Sequence, residues 1–188
     1  LVALGPDLPI ELGALIEPLA VAVHATRRAR VAPGDRVLIT GGGPIGQSLV
    51  LAARKAGASR VLVTDIDPAR RALCETIGAE VINPAAGNVA DAVRAALGGP
   101  ADVAIDAVGV SATLMDCLSS TRQGGVVCLV GMGAPHIELG AFAISTDERD
   151  IGNDRNRSTS PWLRSSAMPI PVNAEPNTSD WLKMPGMR

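Results

Sequence analysis

The sequence predicts an α/β fold, a doubly wound parallel sheet with helices on both faces. Short apolar runs rich in Val and Ile recur between residues 36 and 130, and patterns of helical period separate them. Parallel strands are buried on both faces, so they read as continuous apolar runs. The regular alternation of such strands with helices is typical of a parallel α/β sheet.

Five strands and four connecting helices follow from this pattern. The strands fall at 36–40, 60–64, 80–83, 102–107 and 125–130, and the helices at 45–56, 68–77, 89–97 and 111–121. The second of these helices has the clearest ends, with Asp67 placed to cap it, Pro68 at its first position and Gly78 after its last. The pattern stops near Ile151, so we expect the sheet to lack a normal sixth strand.

Composition divides the chain into three regions. Residues 1–30 read as a connecting segment and a helix opened by Pro18, and residues 31–151 carry the alternating strands and helices. Residues 152–188 shift to Ser, Pro, Asn and Arg with no sustained period of 2 or 3.6. We expect this last region to be an irregular or disordered tail.

Charge and composition exclude two classes of partner. The net charge is −2 and aromatic residues make up 2% of the chain, so neither a basic surface nor stacking platforms for nucleic acid are indicated. No early apolar stretch is long enough to span a membrane. The three cysteines form no CxxC pair, which is typical of a reducing compartment. We expect a cytoplasmic protein that binds a small molecule, without nucleic-acid or membrane partners.

A glycine-rich turn joins the first strand to the helix that follows it. Gly41, Gly43 and Gly46 have the spacing of a dinucleotide-binding fingerprint. The first permits the tight turn, the second lets the backbone approach a pyrophosphate, and the third lets the helix pack close to its strand. Pro44 and Ile45 open that helix, whose free N–H groups and positive dipole end suit a phosphate. The alternative is a strand-to-helix turn that binds no ligand.

Asp65 ends the second strand about 20 residues after the turn, where an acidic residue accepts hydrogen bonds from the adenosine ribose. Its carboxylate would repel the 2′-phosphate of NADP, so the sequence favours NAD. Arg70 leaves an alternative open. It could attract that phosphate, neutralise Asp65, lie against the adenine, or be a solvated surface residue.

The ends of the fourth and fifth strands are the candidates for the nicotinamide side of the site. In a doubly wound sheet the ligand crosses the carboxyl ends of the strands where the strand order reverses. Ala107 and Val108 follow one strand, and Val130, Gly131 and Met132 follow the other. Each strand end is followed by glycine, which suits close backbone approach. Ordinary strand-to-loop turns are the alternative.

Taken in order, these motifs resemble the medium-chain zinc-dependent alcohol dehydrogenases. They are the segment 13–25, which contains Glu17-Pro18, then Gly-x-Gly-Pro-Ile-Gly at 41–46, Val63-Thr64-Asp65, Gly124-Gly125 and Val130-Gly131. The resemblance runs from about Leu8 to Ile151. Its nearest branch is the group of sorbitol, butanediol and threonine dehydrogenases.

This resemblance implies an oxidoreductase that transfers hydride from a secondary alcohol, a polyol or diol, to NAD. In the family a zinc ion polarises the alcohol oxygen. The glutamate that matches Glu17 stands at that zinc, as a ligand or through the zinc-bound water. The alternative is that Glu17 has no role at zinc and is an acidic residue at a helix start, where the helix dipole favours a negative charge.

The sequence also departs from the family pattern. The family's substrate domain, with its Cys and His zinc ligands, is not present in these residues, and His24 and His136 are the only histidines. Residues 1–30 would then connect to that domain, and residues 31–151 would be the NAD-binding Rossmann domain. No catalytic residue is assigned. The alternative function is a non-catalytic nucleotide-binding module, inactive alone. A homo-oligomer is compatible with the open sheet edge that we expect at the fifth strand.

Overall fold

A computed structural model describes residues 9–139 and 150–152, and its core is one parallel sheet. The strands are β1 (Arg36–Thr40), β2 (Arg60–Thr64), β3 (Glu80–Ile82), β4 (Ala101–Asp106), β5 (Thr121–Leu129) and β6 (Asp150–Gly152). Their order is β3-β2-β1-β4-β5-β6, and every neighbouring pair is parallel. The predicted doubly wound parallel sheet is confirmed.

Within the described residues, two α-helices precede β1 and four others alternate with the strands as expected. They are α1 (Ile10–Gly13), α2 (Ile16–Arg28), α3 (Pro44–Lys55), α4 (Pro68–Thr76), α5 (Val89–Leu97) and α6 (Ser111–Ser120). The Asp67 side chain accepts a hydrogen bond from Ala69 N at 2.8 Å, so the predicted cap of α4 is confirmed. None of the helices within the described ranges has the length and apolar character needed to cross a membrane.

Two apolar clusters lie on opposite faces of the sheet. Val37 and Ile39 of β1 pack with α2 and α3, whereas Leu38, between them, packs with α5 and α6. All three side chains are fully buried. Because side chains of a strand alternate between faces, an unbroken apolar run is what a sheet covered on both sides requires.

The sixth strand corrects one expectation. The sequence pattern predicts no normal sixth strand and an open edge at β5, but residues 150–152 pair in parallel with Val126, Val127 and Cys128. Three residues are too few to show a strand period, and only Ile151 among them is apolar. β6 therefore covers this part of β5. The tail predicted for 152–188 lies outside the described residues after Gly152.

β5 also starts earlier than predicted, at Thr121 instead of residue 125. Its first residues pair irregularly with β4, with a register shift between Ala101 and Val103. Gly124 there has φ +65°, a left-handed conformation that suits glycine. The two glycines at 124 and 125 interrupt the apolar pattern, so the sequence showed only the regular second half of the strand.

Asp102 joins three strands at the amino-terminal edge of the sheet, the edge opposite the strand ends where the cofactor residues were predicted. Its carboxylate accepts from the backbone N and Nε of Arg36, both at 3.0 Å, and from Nε of Arg122 at 2.9 Å. Burial raises the pKa of this carboxyl, but the hydrogen bonds from Arg36 and Arg122 outweigh it and lower the pKa from 3.8 to about 2. The ionised form therefore stabilises the fold.

Asp102→Asn should lower the free energy of unfolding at pH 7 by about 2 kcal/mol at most, because the folded state holds the charged form more tightly than the unfolded state. Because the pKa of Asp102 is lower in the folded state, the carboxylate contributes its full stability above the unfolded pKa of 3.8. This contribution is lost as the pH falls through the folded pKa of about 2. Denaturant unfolding at several pH values should show the difference between wild type and variant closing over this range. Asp91→Asn, which removes an exposed carboxylate paired with Arg94, is the control and should change stability by less than about 0.5 kcal/mol.

Candidate functional site

The candidate site lies at the carboxyl ends of β1, β2, β4 and β5. The chain runs outward from β1 to β2 and β3 on one side, and from β4 to β5 and β6 on the other. β1 and β4 therefore flank the switch point at which α/β sheets of this kind bind ligands. Ala107 N, just after β4, donates to Thr40 O at 2.9 Å, so the two strand ends stay paired there.

The glycine-rich turn is held tightly against the sheet. Gly41 has φ +92° and its N–H donates to Thr64 O at 2.7 Å, which links the ends of β1 and β2. A Cβ on Gly46 would overlap the carbonyl oxygen of Gly41. α3 thus begins in direct contact with the backbone of the turn. The predicted role of Gly46 in close helix packing has its physical basis in this contact.

The first turn of α3 is open where a phosphate would lie. No heavy atom lies within 4 Å of the position that a Cβ on Gly43 would occupy. Pro44 is the first helical residue and has no N–H, and the first helical hydrogen bond runs from Gln47 N to Gly43 O at 2.9 Å. The two residues between Pro44 and Gln47 are Ile45 and Gly46, and their N–H groups contact no acceptor in the described part of the chain. Two donors and the helix dipole therefore face an open position, which suits a pyrophosphate.

Asp65 is buried beside the glycine-rich turn, with a side chain 5% exposed. Its Oδ2 accepts from Gly42 N at 2.7 Å and its Oδ1 from Asp67 N at 2.8 Å. The sequence indicated a residue for the ribose, and the structure adds that the carboxylate joins the turn to the start of α4. A carboxylate oxygen has two lone pairs, so each oxygen retains one for a further donor such as a ribose hydroxyl.

Arg70 lies between two carboxylates, those of Asp65 and Asp67. Its Nη1 is 3.8 Å from Asp65 Oδ2 and its Nε is 3.8 Å from Asp67 Oδ2, and 55% of its side chain is exposed. The neighbouring Arg71 instead donates to Asp65 O at 2.6 Å. Of the alternatives open for Arg70, partial neutralisation of Asp65 fits this geometry. The long ion-pair distances leave its guanidinium room to contact a ligand.

The two loops predicted for the nicotinamide side pack directly on each other. Gly133 N donates to Val108 O at 2.9 Å, and a Cβ on Gly131 would overlap the backbone of Val108. Gly109 has φ +82° and faces Gly131 in the same way. The glycines at these strand ends therefore serve the contact between the loops. Ala107 and Val130 lie at the base of this contact, and the Met132 side chain is 94% exposed.

Asp106, the last residue of β4, was missed in the sequence. It is fully buried, and its carboxylate oxygens accept from Thr40 Oγ1, Thr113 Oγ1 and the N–H groups of Val108 and Gly109 at 2.8 to 3.1 Å. Burial raises the pKa of the nearby Cys117 thiol, and the negative charge of Asp106 raises it further. The available signal was an acidic residue at the end of an apolar strand, one position earlier relative to the sheet than Asp65, which follows the last residue of β2.

Glu17 lies in the first turn of α2 and is exposed. A catalytic zinc site takes three protein ligands and one open position. Within residues 9–139 and 150–152, no group of three His, Cys, Asp or Glu side chains is close enough to hold a metal. The described residues alone therefore do not fit a catalytic zinc, and the role predicted for Glu17 stays a prediction.

A cavity of about 1020 Å³ connects α2 with the segment after β5. Its lining includes Val21 and His24 from α2, and Val130, Gly131 and Met132 from the predicted nicotinamide side. The helix that carries Glu17 thus lies across this cavity from the loop after β5. The cavity is open and has space for a small molecule beside the strand ends.

Known dehydrogenases resemble this chain in sequence and structure. Sorbitol dehydrogenase of Ovis aries is 37% identical over 177 residues, which cover 91% of this chain and 50% of that protein. The crystal structure of 2R,3R-butanediol dehydrogenase from Bacillus subtilis superposes with a TM-score of 0.74 at 31% identity, covering 80% of this chain and 44% of that one. The chain spans about half the length of the curated relatives it matches.

A third relative was solved with a nucleotide. It is a protein from Sinorhizobium meliloti described as a zinc-binding dehydrogenase bound to NADP, with a TM-score of 0.67 and 32% identity over 75% of this chain and 43% of that one. The model of the family described as zinc-binding dehydrogenase matches residues 44–162, more than half of the sequence. The resemblance drawn from the sequence motifs is confirmed, and the chain belongs to the zinc-binding dehydrogenase family.

Proposed function

We propose that this chain binds NAD across the carboxyl ends of its strands, as the cofactor-binding part of an oxidoreductase that acts on a secondary alcohol. The observation that carries the proposal is the open first turn of α3, where the N–H groups of Ile45 and Gly46 face an empty position beside the buried Asp65. An anion and a ribose hydroxyl would find their partners side by side there. Relatives named sorbitol and butanediol dehydrogenase favour a polyol or diol as the substrate.

Each part of the cofactor has a matching surface. The pyrophosphate would lie over Gly43 and accept from the first turn of α3, and the adenosine ribose would donate to Asp65. Arg70 would lie along the adenosine. The nicotinamide would lie over the loops after β4 and β5, which contain Ala107 and Val108, and Val130 to Met132. NAD supplies the hydride acceptor when bound, whereas these residues bind and orient it.

NAD is preferred over NADP in this proposal, although one relative was solved with NADP. A 2′-phosphate would place two further negative charges against the Asp65 carboxylate, which is buried and little screened by solvent. Arg70 offsets part of this repulsion, but its closest distance to Asp65 is 3.8 Å. The repulsion therefore outweighs the attraction at this site.

The other assignments are proposals of the same kind. Residues 1–30 would lead from a substrate domain, residues 31–151 would bind the cofactor, and residues 152–188 would be a tail. Glu17 would approach the zinc of the whole protein, together with ligands from outside the described residues. A nucleotide-binding module without catalysis is the second candidate, favoured by the lack of a group of three potential metal ligands among the described residues.

NADH fluorescence titration of the full 188-residue chain tests the proposal. We expect saturable NADH binding that ADP-ribose displaces, and NADPH binding that is weaker by about tenfold or more, a difference of about 1.4 kcal/mol. Asp91→Asn removes one exposed carboxylate of α5, which is paired with Arg94 and belongs to none of the surfaces assigned to the cofactor, and it should leave both affinities unchanged. No saturable binding of NADH would overturn the proposed function, whereas equal affinities for NADH and NADPH would overturn only the role of Asp65.

A further inference from the structure

Asp106 connects the two strands that flank the switch point. Thr40 at the end of β1 and Asp106 at the end of β4 are register partners, and Thr40 Oγ1 donates to Asp106 Oδ1 at 2.8 Å. On the helix side, Thr113 Oγ1 of α6 donates to the other carboxylate oxygen at 3.1 Å. The side chain therefore spans from β1 to α6 beneath the loop that follows its own strand.

The same residue fixes the backbone of both loops on the predicted nicotinamide side. Its Oδ1 accepts from Val108 N at 2.9 Å and Gly109 N at 3.1 Å, and its carbonyl oxygen accepts from Val130 N and Gly131 N at 2.9 and 2.8 Å. Four backbone N–H groups from two loops thus converge on one residue.

The position is a costly one for a carboxylate. Asp106 is fully buried, and its four side-chain donors are neutral N–H and hydroxyl groups. Burial of a charged group without a positive partner is unfavourable, and an apolar side chain would fill a strand end at lower cost. The hydrogen bonds do, however, determine the backbone conformation of residues 108 and 109. A role in the site explains this arrangement better than a contribution to stability does.

We infer that Asp106 is a positioning residue for the nicotinamide half of the cofactor. It holds the backbone of Val108 and Gly109 against the loop after β5, so that the surface that receives the nicotinamide ring is formed before the cofactor binds. The pyrophosphate and adenosine surfaces are built by α3 and Asp65, and the Asp106 side chain accepts no hydrogen bond from either; it reaches the glycine-rich turn only through Thr40. This inference rests on the proposed binding of NAD.

Comparison of NADH with ADP-ribose, which lacks only the nicotinamide ring, separates this role from a general loss of stability. In wild type we expect NADH to bind more tightly than ADP-ribose. In Asp106→Ala that advantage should fall by about tenfold, while the dissociation constant for ADP-ribose, measured by calorimetry, changes by less than about threefold. Asp106→Asn keeps an oxygen that accepts from the two N–H groups, so it should restore most of the advantage.

Two further variants complete the test. Val93→Ala removes buried volume from α5, in the same apolar cluster as α6 but with no hydrogen bond to Asp106 or to the two loops, and should lower stability without changing the ratio of the two affinities. If Asp106→Ala does not fold, Asp106→Ser keeps a polar atom but is too short to accept both N–H groups, and the same loss is expected. Equal weakening of both ligands, or equal wild-type affinities, would overturn the inference. Failure of wild type to bind ADP-ribose would instead overturn the proposed function.

Discussion

Gly46→Ala is expected to destabilise the protein by about 3 kcal/mol or more and to abolish NADH binding. The added Cβ would overlap the carbonyl oxygen of Gly41 and come within 2.8 Å of its carbonyl carbon. Both are backbone atoms, so no side-chain rotation relieves the overlap, and α3 must move away from the strand end. That movement also displaces the N–H groups of Ile45 and Gly46 from the position proposed for the pyrophosphate.

Gly43→Ala is the matched control, because it adds the same methyl group three residues earlier. Gly43 has φ −69° and ψ −173°, which alanine adopts without strain, and nothing lies within 4 Å of the added Cβ. Its stability should stay within about 1 kcal/mol of wild type, because the gain through the unfolded state is opposed by the poorer capping of α3 by alanine than by glycine. NADH binding should nevertheless weaken by about tenfold or more, because the methyl group would occupy the space of the pyrophosphate.

Denaturant unfolding and NADH titration of the two variants measure these effects. We expect Gly46→Ala to lower the free energy of unfolding and, through it, NADH binding. Gly43→Ala should weaken NADH binding with little change in the free energy of unfolding. A stable Gly46→Ala would show that α3 can shift at little cost. Unchanged NADH binding by Gly43→Ala would contradict the proposed position of the pyrophosphate. The added methyl group meets no other described group, so a bound ligand is the only thing that it can displace.

The fold was largely predictable because a sheet that is buried on both faces requires strands that are apolar at every position. The run Val37-Leu38-Ile39 alternates between two helix layers and is apolar throughout. Asp67 and Pro68 mark the start of α4 because a cap and a fixed φ are local requirements. β6 was missed for the opposite reason, since pairing along three residues depends on the neighbouring strand and leaves no local pattern.

The site was predictable in its residue types but not in its hydrogen bonds. Glycines at 109 and 131 suggested close approach of a ligand, whereas the structure shows that each allows close approach of the other loop. Asp106 is the last residue of an apolar strand and Asp65 directly follows one, but only Asp65 belongs to the dinucleotide-binding fingerprint. The sequence alone predicts that a carboxylate lies at a strand end. Which N–H groups it accepts from depends on strands that are distant in the chain.

Asp65→Asn is expected to lower both stability and cofactor selectivity. An amide has one oxygen, so it can accept from Gly42 N or from Asp67 N but not from both as Asp65 does. A buried N–H group left without an acceptor costs about 1–3 kcal/mol, which denaturant unfolding would measure. The negative charge that repels a 2′-phosphate is also lost. The preference for NADH over NADPH should therefore fall to within about threefold, with NADH itself bound more weakly.

Asp67→Asn separates these effects from a general change of charge at the adenosine end. Asp67 caps α4 through Ala69 N at 2.8 Å and lies 3.8 Å from Arg70, as close as Asp65 does, but 45% of its side chain is exposed. Asparagine caps helices about as well as aspartate, so stability should change by less than about 0.5 kcal/mol and the preference for NADH should persist. If both variants lost the preference equally, the selectivity would arise from the total negative charge around Arg70. Loss in Asp65→Asn alone would assign it to the buried carboxylate, whose oxygens are held by Gly42 N at 2.7 Å and Asp67 N at 2.8 Å beside the glycine-rich turn.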